Sequence, residues 1–379
     1  MSVNRTYLDH NATAPLRPEA RAAVVAALDV VGNPSSVHAE GRRARAIIEE
    51  AREKVAGLVG ARPAQVVFTS GATEANAWVM RAGWDVVMAP VTEHDSVLAP
   101  ARAAATRVVN LRVANSGEVV RDALAETLER EAAKDGRRLL SIQLANNETG
   151  VIQPLAEAIA QARTHGASVH CDAVQAAGRI PVDFAALDVD CLSLSAHKLG
   201  GPKGVGALVL KDGFEPTALI TGGGQERRRR SGTENVSGIA GFGAAAEAAL
   251  RDLADAGRIA GLRDRLEQGA LEAAAGTVAI GMGAPRLGNT ASLALLGNTA
   301  ETLVIKLDLA GIAVSAGAAC SSGKVGPSPV LTAMGLAPEI ANGAVRVSLG
   351  WNSTEADVER FLEAWAAIAN ARGRQRAAA

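Results

Sequence analysis

"SLSAHKLGGPKGVGALVL", residues 193–210, contains two apolar, β-rich runs joined by a Gly-rich segment, with His197 and Lys198 set where the first run breaks. Upstream, "QVVFTS", "WDVVMAP", "LLSIQL", "ASVHCD" and "DCLSLS" are further such runs, separated by helix-like stretches. Strands alternating with helices predict a doubly wound, mostly parallel α/β sheet over about residues 65–210. Ligands of such sheets bind beyond the carboxyl ends of the strands, where loops project side chains into a crevice. The polar residues that follow each run are therefore the candidates for chemistry.

From "AGRIAGLRDRLEQGALEAA" onward the pattern changes, and Ile259, Leu262, Leu266 and Ala270 recur on one helical face. A second domain is expected from about here, with "VRVSLG" as a strand. "STEADVERFLEAWAAIANA" closes it as a helix in which Val358, Phe361, Leu362, Trp365 and Ile368 share a face behind a Ser/Thr cap. The expected division is a large domain over residues 14–250 and a small domain made of 1–13 plus 251–379.

With 379 residues and 48% apolar composition, the chain can fill two cores. Its 39 basic and 40 acidic residues cancel and aromatics make up 3%, which argues against nucleic acid as a partner. No apolar run approaches the ~18 residues of a membrane span. The opening "MSVNRTYLDHNATAPL" lacks a basic segment followed by an apolar core, so a cytoplasmic protein with no membrane partner is expected. Cys171, Cys191 and Cys320 are too few and too scattered for a disulfide framework or a Cys-x-x-Cys metal site. No metal is expected, and any special cysteine must be chemical.

In "VFTSGATEANAW" a strand ends at Ser70-Gly71 and a helix opens at Ala72-Thr73. Free N–H groups and the positive dipole end there suit a phosphate, although an ordinary Gly turn with a capped helix reads the same way. His94 in "VTEHDSV" and Asn146-Asn147 in "ANNETG" follow other strands; each alone is equally a surface histidine or a turn pair. Asp172 ends the run "VHCD", with Gln175 shortly after it. A carboxylate buried there needs a cation such as a protonated ring nitrogen, or it caps the following turn. A desolvated Lys198 becomes an amine nucleophile and Schiff-base former, whereas most lysines are simply solvated. Such a lysine, an acid for a pyridinium and a phosphate cradle are the parts of a pyridoxal phosphate site.

Three further features each admit two readings. Arg227–Arg230, followed by Ser231-Gly232-Thr233, form either a solvated loop or one that reaches a phosphate or an acidic partner. In "SAGAACSSGKVGPSPVL", Cys320 lies among Gly, Ala and Ser, as an accessible thiol would, while Cys191 and Cys171 read as core. Arg346 in "AVRVSLG" could grip a substrate carboxylate at two points or make a structural ion pair.

Taken in order, "YLDHNATAPL", "GNPSSVH", "VFTSGATEAN", "TEHDSVL", "NNETGVIQ", "HCDAVQAAG", "SAHKLGGPKGVGAL", "GGGQERRRRSGTEN", "SAGAACSS" and "VRVSLG" resemble the cysteine desulfurases of the NifS/IscS type, over nearly the whole chain. These are class V, fold-type I pyridoxal phosphate enzymes. The resemblance implies a large domain with a mostly parallel sheet and a smaller α+β domain. It implies that Lys198 holds pyridoxal 5'-phosphate as a Schiff base and later moves protons on the substrate. Asp172 would meet the pyridine nitrogen, Gln175 the phenolic oxygen, and His94 would stack on the ring and take part in proton transfer. Ala72, Thr73, Ser195, His197 and Thr233 would hold the phosphate, the last across a homodimer interface. Asn147 and Arg346 would border the cofactor and bind the substrate carboxylate. L-cysteine would lose its sulfur to Cys320 as a persulfide, leaving alanine, and the sulfur would pass to an iron–sulfur cluster scaffold or another acceptor protein. Ala196 stands where the family often has Gly, and "NNETG" replaces an Ile-containing version; neither change removes a functional group. A selenocysteine lyase or another class V pyridoxal phosphate aminotransferase is the alternative, although a plain aminotransferase needs no thiol at Cys320. A non-catalytic sulfur-transfer partner is opposed by the intact Lys198, Asp172, His94 and Cys320.

Overall fold

In the computed structural model, which describes residues 5–104, 106–317 and 327–377, alternate residues of each central strand part to opposite sides of one sheet. Val66 and Phe68 join one core and Val67 the other; Val86 and Met88 part likewise from Val87 and Ala89, and Ala207 and Val209 from Leu208 and Leu210. Both faces are covered by helices, so both sets of side chains are apolar and the strands read as unbroken apolar runs.

The strands are β1 (Val66–Thr69), β2 (Val86–Pro90), β3 (Arg107–Leu111), β4 (Arg138–Gln143), β5 (Ser168–Asp172), β6 (Cys191–Ser195) and β7 (Gly206–Leu210). They form a 7-stranded sheet in the order β1-β7-β6-β5-β4-β2-β3. β2 to β6 pair in parallel, and β7 lies antiparallel between β1 and β6. The mostly parallel sheet expected from the sequence is present. The one strand absent from that reading, β3, lies at the edge, where Arg107 and Asn110 are exposed and the apolar run is broken.

One face of the sheet is covered by α1 (Pro18–Leu28), α2 (Ala39–Leu58) and α5 (Val236–Asp252), with Ile48, Val55 and Phe242 in its core; α3 (Ala72–Met80) and α4 (Asp95–Ala103) cover the other through Trp78, Val79 and Val97. A further core is built on the antiparallel strands β8 (Thr277–Ala279), β9 (Thr290–Leu295), β10 (Ser315–Ala316) and β11 (Ala344–Ser348), in the order β10-β11-β9-β8. On it pack α6 (Ala256–Ala273), through Leu262, Leu266 and Ala270, and α7 (Glu355–Ala377), through Val358, Phe361, Trp365 and Ile368. The predicted cap of α7 is reciprocal: Thr354 N donates to Asp357 Oδ2 at 2.9 Å and Asp357 N to Thr354 Oγ1 at 3.4 Å.

Two features bring backbone close to the site. Thr6–Tyr7 pairs in parallel with Ile312–Ala313, and the chain then crosses to the large sheet, where Ala14 N donates to His197 O at 2.8 Å. A Cβ at Gly206 would lie 2.6 Å from Leu194 O and 2.7 Å from Gly71 Cα, so only glycine lets β7 pass under the turn from β1 into α3.

The segment carrying the arginine run is tied to β1 by a buried ion pair. Glu226 Oε2 accepts from Arg52 Nη1 at 2.7 Å and from Phe68 N at 3.0 Å, and Oε1 accepts from Arg52 Nη2 at 2.8 Å. Holding Glu226 in place puts three successive non-glycine residues in the left-handed region: Glu226 at φ 44°, Arg227 at 57° and Arg228 at 67°. An L-residue pays about 1–2 kcal/mol for that conformation. Arg228 is exposed, so Arg228→Gly is expected to raise unfolding stability by about 0.5–1 kcal/mol once the greater freedom of glycine in the unfolded chain is deducted. Denaturant melts of the two proteins read this directly, and an unchanged midpoint would mean that no strain is relieved there.

Candidate active site

A cavity of about 600 Å³ opens at the carboxyl ends of the parallel strands, where the topology requires a ligand site. Ala72 and Thr73 follow β1, His94 follows β2, Asn147 follows β4, Asp172 closes β5 with Gln175 beyond it, and Ser195 closes β6 ahead of His197 and Lys198; all of them line the cavity. Arg346 reaches the same wall from β11 of the second core. Of the other predicted residues, Thr233 is exposed and does not line this cavity, and Cys320 lies outside the described residues. Gly317, the last described residue before Cys320, packs against the neighbour of Asn147: a Cβ there would be 2.4 Å from Glu148 Oε2, which also accepts from Ser328 Oγ at 2.5 Å.

Lys198 ends a single turn after β6, and its Nζ donates to Asn11 O at 2.5 Å and Ala12 O at 3.0 Å. Asp172 is buried, with Oδ2 accepting from Asn76 Nδ2 at 2.8 Å and Oδ1 from Val174 N at 3.0 Å. Asn76 also donates to Ser96 Oγ at 2.9 Å. The carboxylate is thus fixed in orientation by neutral donors rather than by a cation of the chain. His94 caps α4, its Nδ1 accepting from Ser96 N at 3.1 Å, so a neutral ring carries its proton on Nε2.

The start of α3 leaves anion-seeking N–H groups at Ala72 and Thr73. The acid in its first turn, Glu74, is occupied elsewhere: it accepts from Ser70 N at 2.8 Å and from Arg230 Nε at 2.9 Å. Burial works against the charge of Glu74, but these two partners hold its pKa below the usual carboxylate value. The arginine run is accordingly engaged with the protein: Arg230 pairs with Glu74, Arg229 with Glu215, and Arg227 donates to Ala64 O at 3.1 Å.

Burial, with the like charges of Lys198, Lys203 and Arg179, pulls His197 down to about 4, so its ring is neutral near pH 7. Arg346 makes the ion pair that competed with its substrate role, Nη2 lying 2.8 Å from Asp9 Oδ1, and Nη1 donates to Asn147 O at 3.2 Å. The ion-pair reading is thus observed, and Asp9 and Asn147 engage the guanidinium through Nη2 and Nη1. Among the described residues, His197 Nδ1 and Arg346 Nε are buried without a partner. Buried polar atoms are seldom left so, and two on residues that line one cavity fit a ligand carrying anionic oxygens. Helix start, lysine amine, oriented carboxylate and these two atoms together fit pyridoxal phosphate.

Residues 6–361 match the aminotransferase class-V family, and the chain belongs to it. It is therefore a pyridoxal phosphate-dependent enzyme. Among its relatives, the IscS-like cysteine desulfurase of Mycobacterium tuberculosis is 40% identical, covering 98% of each chain. A cysteine desulfurase of Cereibacter sphaeroides is 41% identical, covering 95% of each. A solved NifS-like protein from Rickettsia africae superposes with a TM-score of 0.88 at 35% identity, covering 96% of this chain and 99% of the other.

Sequence reasoning missed Asn11, Asn76, Ser96 and Glu93. Asn76 had left a signal, a polar residue amid the apolar Ala75, Trp78 and Val79 of α3. Glu93 is buried, with Oε1 accepting from Gln143 N at 2.5 Å and Oε2 unpartnered. Burial first, then the charge of Asp172, push its pKa well above the usual value. Between the unfolded value, about 4.3, and this raised one, the native state holds a proton the unfolded chain has released, so the contribution of Glu93 to stability falls as pH rises. Glu93→Gln removes that titration. The stability of Glu93→Gln relative to the natural protein should therefore climb between pH 5 and pH 8 in denaturant melts; a difference that does not change with pH would show Glu93 to be ionised in the fold.

Proposed function

We propose that this chain is a cysteine desulfurase that takes sulfur from L-cysteine, leaves L-alanine and carries the sulfur as a persulfide on Cys320. The observation that carries the reading is the convergence of Lys198, Asp172 and the α3 start with Arg346 in one cavity, in a chain of the same family as proteins named cysteine desulfurase.

Lys198 Nζ would hold the cofactor covalently, and its amine moves the α-proton of cysteine. Bound pyridoxal phosphate supplies a ring that takes up the electron pair left by that proton. Asp172, oriented by Asn76 and the Val174 N–H, accepts from the protonated ring nitrogen. Ala72, Thr73, Ser195 and His197 hold the phosphate. Arg346, held by Asp9, binds the substrate carboxylate, and Asn147 borders it. His94 would lie against the ring and offers its Nε2 for proton transfer. Cys320 acts as thiolate, since a thiol with its ordinary pKa of ~8.5 is a poor nucleophile. Its sulfur bonds to the substrate sulfur as the substrate C–S bond breaks, and a returned proton completes alanine. The net change moves one sulfur atom into the Cys320 S–H bond, so the step needs no outside oxidant or reductant.

The enzyme acts as a homodimer. Supporting this, Val31 and Val37 are 81% and 87% exposed, and Leu219 and Ile220 are exposed on the loop that meets the same region, where Gln225 Nε2 lies 3.5 Å from Ser35 Oγ. Thr233, exposed on that loop and not among the residues that line its own cavity, would complete the phosphate site of the other copy. Delivery is to an iron–sulfur cluster scaffold or another sulfur acceptor in the cytoplasm; among the described residues no helix is long and apolar enough to cross a membrane.

Two variants test the chemistry. Lys198→Ala should lose the borohydride-reducible bond to the cofactor. Cys320→Ser should keep the visible absorbance while alanine formation from L-cysteine falls at least about 10³-fold, as on removal of a nucleophile. Mass spectrometry of the natural protein after L-cysteine should find added sulfur on the peptide containing Cys320. Undiminished turnover by Cys320→Ser would sink the persulfide role, and sedimentation at the mass of one chain would sink the dimer.

A further inference from the structure

We propose that Arg179 is a positioning residue that, through Gln175, turns an N–H donor toward the phenolic oxygen of the cofactor ring. The inference rests on the pyridoxal phosphate site described above and adds a determinant of the ring's charge state.

A glutamine amide can meet a ring oxygen with either end. Its carbonyl favours a protonated phenol and its NH2 favours the phenolate. The surroundings of Gln175 settle which end is presented. Arg179 Nη1 donates both to Gln175 O, at 3.0 Å, and to Gln175 Oε1, while Nη2 donates to His10 O at 3.4 Å. Gln175 Nε2 donates to Asn11 O at 3.2 Å, leaving its second N–H for the cavity that Gln175 lines with Lys198 and Asp172. Turning the amide over would set NH2 against a guanidinium, donor to donor, and would leave the Asn11 carbonyl facing an oxygen.

The backbone holds Arg179 to this task. Arg179 N donates to Ala176 O at 3.0 Å, and Gly178 adopts φ +72° where a Cβ would meet Leu199 Cδ2 at 2.8 Å and Ala249 Cβ at 2.9 Å. Among the described residues Arg179 has no carboxylate partner, and its guanidinium is turned onto the Gln175 amide. Burial and the like charge of Arg346 draw its pKa down to about 9, which still leaves it cationic near neutrality. The other ionisable groups at hand are Asp172, Lys198, Lys203 and Arg346 on the cofactor cavity and Arg17 and Asp252, which line a second cavity with Arg179, with His10 and His197 pulled by burial to about 3 and about 4 and hence neutral.

The test is a pH titration of the visible absorbance of the holoenzyme. A cation and an N–H donor beside the ring oxygen favour the more anionic form, so Arg179→Met should move the titration midpoint upward by about one unit, a tenfold change in the proton equilibrium. Arg179→Lys, which keeps charge and donor, should stay close to the natural value. In a Gln175→Ala background the effect of Arg179→Met should fall to less than half, as a residue acting through Gln175 requires. Arg179→Gln supplies the neutral comparison if the Met variant does not fold. A midpoint unmoved in the neutral variants, or a full shift persisting without Gln175, would overturn the proposal. A natural protein that stays colourless with added cofactor would instead overturn the pyridoxal phosphate site itself.

Discussion

The geometry of the site depends on Asn11, whose backbone and side chain join both cores at once. Its carbonyl accepts from Lys198 Nζ and from Gln175 Nε2. Its Nδ2 donates to Asn147 O at 3.0 Å and Thr290 Oγ1 at 2.9 Å, its Oδ1 accepts from Asn289 Nδ2 at 3.0 Å, and its N–H donates to Ser348 Oγ at 3.0 Å. Every polar group of one buried residue is thus used, and three of its partners, Asn147, Gln175 and Lys198, line the cavity. Such fully satisfied networks specify one arrangement because any partial loss leaves buried groups unpaired.

Charge in the cavity is arranged to suit a ligand that is itself anionic. Lys198, Lys203 and Arg346 line it, Arg179 stands behind Gln175, and the histidine beside the lysine is kept neutral by burial. Of the acids, Glu74 is neutralised by Arg230, and the pKa of Glu93 is raised by burial and by Asp172. Asp172 is left as the carboxylate oriented by neutral donors. Such a field suits a ligand that carries anionic groups, and among the described residues Asp172 is the carboxylate on the cavity wall that no cation of the chain neutralises.

The parts legible in the sequence were those with local causes. Runs such as "LLSIQL" are apolar throughout because both faces of the sheet are covered, and the polar residues just after them lie at the site because parallel strands end together. β3 escaped because an edge strand such as "RVVNL" is half exposed and loses that signature. Asn11 was unreadable for a different reason: it acts through partners from Asn147 to Ser348, which no spacing pattern connects. The pairing of Arg179 with Gln175 is one helical turn in the sequence, yet the direction of the amide followed only from the hydrogen bonds.

The clasp between Asp9 and Arg346 spans 337 residues. Chain ends that meet this late put the closing of the loop among the last acts of folding. On the ribosome, the large sheet can form while Asp9 still awaits Arg346, so the two cores are clasped together only when the chain is nearly finished.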